Sequence, residues 1–465
     1  MQGKQHGTHV MTRHREFLLR IALALLAILG SDARANIWQV DRFDDAVDSH
    51  VGDTLCATTP SGCSLRAAVQ EANALPGVDE IRLPPGFHNL TLMDEAPEDA
   101  AASGDLDILE PLHIVGLPGE PGTVAIGYPF VLHSPDGERV FDIATGNSDV
   151  PVQMHRVVVH FGKAHDLLGG GGVLVRAGSA AVLDEVDLYA NGADRRGNAL
   201  AVYGRVEVRR SHIFDNHPSW TSLPAEGGGG IYVGVGGSLM LDQVGLDSNV
   251  HADGGSILAD GPSTIAITRS TLIDNGAAAL TLRGAVQMQI SDSTLSHAVA
   301  IEASDGASIT LDQVTLNHVD DSVRIVLQGS ATRLTIANSI LNRRFADIET
   351  CFAKGASVSS RGGNVFQFAA PCGIVPDASD RITNALQLEP LRVPMPFSRF
   401  FPEQRLVFAP TANSAAINAG ISANCSAFDQ LGTLRHAGPS PGQSAHCEAG
   451  AIEIPIPQLH RDSFE

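Results

Sequence analysis

The chain has 465 residues, of which 43% are apolar and 18% charged; its formal net charge is −21, and 47 glycines stand against 5% aromatics. The length allows about two to four ordinary domains or one long repeat domain, and the apolar content excludes a mainly disordered chain. The acidic balance excludes a basic stripe for nucleic acid and simple electrostatic docking on anionic lipid. Few aromatics and many glycines suit thin, regular layers.

Met1 to Val10 is polar, and Met11 is an alternative start. Arg13, Arg15 and Arg20 form a basic region, Ile21 to Leu29 is an uninterrupted apolar run, and Ala33-Arg34-Ala35 supplies small residues. This pattern predicts a secretory signal peptide over 1–35, cut between Ala35 and Asn36. The run is shorter than the roughly 20 residues that span a bilayer, so no transmembrane span is expected after its removal. The six cysteines fall into three local pairs, Cys56 with Cys63, Cys351 with Cys372 and Cys425 with Cys447. An even count after a signal peptide favours disulfides, with nearest-neighbour pairing preferred. Zinc competes weakly, because no C-x-x-C occurs.

Ser64 to Ala74 has Leu65, Ala68, Val69 and Ala72 on one helical face, and Pro76-Gly77 stops it. Residues 36–80 therefore read as an N-terminal lid. Residues 81–350 read as the repeat domain, within which one pattern recurs, with Met154 to Val159 a plausible first copy: an apolar residue, two polar ones, Val or Ser, a variable residue, then Leu or Ile. Leu183 to Leu188, Val208 to Ile213, Leu241 to Leu246, Ile267 to Leu272, Ile290 to Leu295, Leu311 to Leu316 and Ile336 to Leu341 are its clear copies. Their last residues are 25, 33, 26, 23, 21 and 25 apart. A period in this range signals a solenoid, and the absence of an amphipathic helix in the unit favours a parallel β-helix over leucine-rich repeats. Residues 351–465, rich in proline and carrying four cysteines, read as an irregular C-terminal cap stapled by disulfides.

Stacked coils make expectations about single residues. Asn191, Asn216, Asn249 and Asn275 should form an amide ladder. Gly178, Gly204, Gly236, Gly261, Gly284, Gly306 and Gly329 should occupy a corner with positive φ. Asp184, Arg209 and Asp242 should form one charged row at a bend, with Glu185, Arg210, Gln243, Arg269 and Asp292 in the next. The longest spacing marks an inserted loop around Trp220, a side chain able to stack on a sugar ring or to cover the coil beneath.

Cys63-Ser64-Leu65-Arg66-Ala67-Ala68, followed by Gln70 to Ala74, resembles the N-terminal motif of the CSLREA-domain proteins; Ser103 to Ile108 and Arg139-Val140-Phe141 resemble later marks of that family. Asp429-Gln430-Leu431-Gly432 and Cys447 to Glu453 resemble the choice-of-anchor Q region of bacterial surface proteins. The resemblance implies an exported right-handed parallel β-helix and carries over no catalytic set.

The leading functional expectation is a non-catalytic, adhesin-like extracellular or cell-surface protein, outer-membrane associated in a Gram-negative cell. It would present a rigid face to an extracellular polysaccharide or another surface polymer. The alternative is a polysaccharide hydrolase or lyase, which needs carboxylates across a groove. For it, Asp184, Asp187 and Asp242 beside Arg209 and His212 are the candidate catalytic residues, with Asp215, Asp247 and Asp274 a poorer set. His155, His160, His212, His217 and His251 lack a common chelating spacing, and no phosphate loop, dinucleotide fingerprint or nucleophile elbow occurs, so no metal or cofactor is expected.

Overall fold

The computed structural model describes residues 35–93, 98–119, 123–129, 138–217, 229–249, 255–273, 275, 278–296, 299–317, 325–343, 351–394, 404–435 and 446–454. Residues 1–34 of the expected signal peptide, Trp220, His251 and Asp274 lie outside these residues. Within them the chain winds as a right-handed parallel β-helix with three long sheets. The first sheet has 12 strands, from Ile37–Gln39 to Ser357–Ser360; the second has 12, from Gly86–Asn89 to Arg381–Thr383; the third has 10, from Leu106–Ile108 to Cys351–Lys354. No helix among the described residues is long and apolar enough to cross a membrane.

Alternation along each short strand turns every second side chain inward, and coils about 4.8 Å apart bring equivalent residues into columns. Leu188, Ile213, Leu246, Leu272, Leu295, Leu316 and Leu341 stand in one such column, in register from strand to strand. All are buried. Each such leucine or isoleucine contributes about 1.5–3 kcal/mol of burial, so stacking supplies what a single thin coil lacks.

The turns are held by ladders. Asn191, Asn216 and Asn249 each donate from Nδ2 to Oδ1 of the next asparagine, at 3.2, 2.8 and 3.1 Å, the last reaching Asn275. The same Oδ1 atoms accept the preceding asparagines' backbone N–H groups. A serine ladder explains why the repeat alternates Val with Ser. Ser211 Oγ accepts from Val186 N–H, Ser270 from Val244, Ser293 from Ser270, and Ser339 from Val314. Each hydroxyl donates in turn to the carbonyl two residues before it.

Five of the seven corner glycines have the expected positive φ; Gly204 and Gly261 do not. At Gly204 the requirement is close approach, since a Cβ there would lie 2.2 Å from Ser179 O. The sharp bend between the first and second sheets is instead made by non-glycine residues in the left-handed region, among them Glu185, Arg210, Gln243, Arg269 and Asp292. There the side chain projects outward and can pair with the neighbouring coil.

The three disulfides join Cys56–Cys63, Cys351–Cys372 and Cys425–Cys447. Helix α1 (Leu65–Ala74) has Ser64 as its N-cap, the hydroxyl accepting from Ala67 N–H at 3.1 Å. Its polar side chains are buried as well as its apolar ones. Arg66, 1% exposed, grips Asp45 through Nε at 2.6 Å and donates to the carbonyls of Ala101, Ser103, Gly104 and Asp105. Asn73 holds both Asp107 O and Leu109 N–H.

At the far end, Cys372 and Ile374 pack against the end of the main core. Residues 411–435 and 446–453 then do something the reading of a terminal cap does not anticipate: they run back along the second sheet. Ile421 N–H donates to Asn338 Oδ1, Ser426 N–H to Gln313 Oε1, and Gln430 Nε2 to Ser270 O and Thr271 Oγ1. Arg435 locks this arm, its side chain wholly buried, with Asp292 at 2.9 Å and Glu453 at 3.2 Å.

Candidate functional site

The fold divides the five candidate catalytic residues between two sheets. Asp184, Arg209 and Asp242 lie in one outward row at the end of the first sheet, in register. Arg209 stands on the coil between the two carboxylates, which are thus two coils, about 9–10 Å of backbone, apart. Asp184 is held by Arg210 and lies 3.5 Å from His155. Asp242 is held bidentately by Arg269, at 2.8 and 2.5 Å, and Arg209 turns onto Glu207 of its own strand. The charges therefore pair diagonally between the two bend rows, as a ladder of partly solvated ion pairs.

Asp187 and His212 lie in register on the second sheet. Both are 0% exposed. His212 stacks on Phe214 with ring centroids 4.1 Å apart and pairs through Nε2 with Asp247. Asp247, from the poorer candidate set, is thus drawn to the better one, while Asp215 pairs with His217 at 2.6 Å. Further along the same outward row stand Thr271, Thr294 and Thr315, all bonded to the returning C-terminal arm.

One carboxylate group was not singled out by spacing. Oxygens of Asp105, Asp107 and Asp142 all lie within 4.8 Å of one another, because Asp107 and Asp142 are register partners on the third sheet. Two arginines already supply the positive charge. Arg176 holds Asp142 at 2.8 and 2.7 Å, and Arg139 lies 3.2 Å from Asp105 and 3.5 Å from Asp142. Burial, reinforced by Asp107, pushes Asp105 up to about 8, and burial pushes Asp107 up to about 7. A raised carboxyl pKa and paired arginines describe a structural clamp better than a cation site. Through Arg139 and Asp105 it joins the segments 103–108 and 139–141, and Arg66 holds the first of them by its carbonyls.

The open surface lies on the first sheet, beside the bend. Strands Ser238–Asp242, Ser263–Thr268, Val286–Ser291 and Ser308–Asp312 present two outward rows. Ser238, Thr264, Gln287 and Ser308 form one; Met240, Ala266, Gln289 and Thr310 form the other. They line a groove of about 360 Å³. None is charged, whereas the coil before carries Arg205 and Glu207 in these rows and the first row resumes at Arg333. Met240 is 47% exposed. The signal was present in the alternation of Thr264-Ile265-Ala266-Ile267 and Gln287-Met288-Gln289-Ile290, but the repeat was read from its bend residues, which carry the charges.

The right-handed beta helix region family model matches residues 143–316, the stretch that holds the asparagine ladder and the groove. Among curated proteins none matches this sequence. Among solved structures, the chain is similar to one described as the crystal structure of pectate lyase Pel9A, at 16% sequence identity, a TM-score of 0.50, and coverage of 91% of this chain and 98% of that one. At that identity the likeness is one of fold.

Proposed function

We propose that this is an exported β-helix protein of the CSLREA and choice-of-anchor Q type. It acts outside the cell or at its surface, without catalysis, and offers the open face of its first sheet to an extended polymer. The carrying observation is the uncharged groove across four successive coils, where a rigid scaffold repeats the same side-chain rows at a fixed interval. Three disulfides support an oxidising compartment. The candidate carboxylates support binding over cleavage: Asp184 and Asp242 are held by arginines, and Asp187 is buried.

Polysaccharide cleavage is the competing reading, and a β-helix fold shared with a pectate lyase agrees with it at the level of fold only. Incubating the secreted chain with a panel of soluble polysaccharides separates the two. Retention on immobilised polymer without new reducing ends or unsaturated products is expected. Product formation that disappears in Asp242→Asn or Asp187→Asn would establish the enzyme instead.

A further inference from the structure

Resting on that reading, the geometry points to a narrower ligand: the groove takes an uncharged, hydroxyl-rich glycan lying along the helix axis. Recognition of a polyuronate would require cations facing its carboxylates, from arginine, lysine or a divalent metal. Among the described residues lining the groove there is no cationic side chain. The arginines nearest in the same rows and bends are engaged or peripheral. Arg205 donates to Ser148 O at 2.6 Å, Arg269 is closed on Asp242, Arg283 ends a third-sheet strand in register with Asp260, and Arg333 begins only on the coil after Ser308. Asp242 and Asp312 adjoin the groove in the neighbouring bend row. Asp242 is neutralised by Arg269, which leaves Asp312 as the acidic neighbour on a chain whose net charge is already −21, so an acidic polymer meets repulsion.

What the groove does offer matches sugar hydroxyls. Gln287 and Gln289 each carry a donor and an acceptor, and Thr264, Ser308 and Thr310 carry hydroxyls that do both. Gln287 and Gln289 are exposed, pointing to the same side of one strand. Met240 supplies a polarizable apolar surface for the C–H face of a ring. The rows advance by about 4.8 Å per coil, close to the advance per sugar of an extended glycan, so successive sugars meet equivalent side chains.

Affinity electrophoresis of the secreted chain tests this, with mixed-linkage β-glucan and galactomannan as uncharged probes and polygalacturonate as the acidic one. A Gln287→Ala/Gln289→Ala variant removes the amides, and Glu302→Gln, exposed on the third sheet, serves as control; circular dichroism verifies that both fold. Retardation by an uncharged glycan and not by polygalacturonate is expected, weakened about tenfold in the double variant and unchanged in the control. Retardation by polygalacturonate that the double variant abolishes would overturn the uncharged ligand and leave the polymer-binding face standing. Retardation by an uncharged glycan that the double variant leaves intact would overturn the groove as its site. Failure of all probes to retard the chain would overturn both the inference and the reading beneath it.

Discussion

The middle of the helix and its two ends solve stability differently. In the coils from Leu183 to Leu341 the supporting contacts recur: an inward leucine or isoleucine rests on another, and an asparagine or serine passes a hydrogen bond to the next coil. The load is shared, and no single side chain is decisive. At the ends nothing recurs. The N-terminal end and the returning C-terminal arm are each gathered by one wholly buried arginine, Arg66 on Asp45 and four carbonyls, Arg435 on Asp292, Glu453 and the carbonyls of Gly450 and Ala451. A buried guanidinium satisfies several acceptors from separate segments because its five N–H groups spread in a plane. Repetition makes a long element from weak units, whereas termination needs a specific knot.

That contrast can be broken most sharply at the knots. Arg435→Met leaves Asp292 and Glu453 buried without their cation. It should cost about 3–5 kcal/mol, read as loss of hydrogen-exchange protection across residues 411–453, with coils at Val173 to Val208 protected as before. Equal loss along the whole helix would show that the arm and the coils are one cooperative unit. Within the repeat, Asn249→Ala removes one rung and takes from Asn216 the acceptor of its backbone N–H and of one side-chain N–H. About 1–3 kcal/mol is expected, measured by urea unfolding, with exchange faster only in adjoining coils. The smallest effect belongs to the bend charges. Arg269→Ala frees Asp242 into solvent and should cost less than about 1 kcal/mol, diminishing further in salt. A larger, salt-insensitive loss would mean that the charged ladder fixes the bend rather than decorating it.

Much of the repeat is legible because it is periodic. A recurring six-residue pattern sets which residues stack, and Asn191, Asn216, Asn249 and Asn275 fall in line by counting alone. The glycine corner was only partly legible. Left-handed geometry occurs also at Glu185, Arg210 and Gln243, where coil-to-coil hydrogen bonding outweighs a conformational preference that counting reads as glycine. The carboxylate candidates were found as residues but not as partners. Asp187 and Asp184 are close in sequence yet fall on different sheets, because the bend between them turns the chain. Asp247 meets His212 only through stacking of separate coils.

The sequence by itself determined the winding, the columns and the asparagine ladder, since each depends on local spacing repeated many times, and the pairing of cysteines followed from their nearness along the chain. Only the tertiary structure decided that the C-terminal segment returns along the second sheet, that Asp105, Asp107 and Asp142 meet beneath Arg139, and that an uncharged groove lies open on the first. Those features join residues far apart in the chain through contacts made once, and a contact made once leaves no period to read.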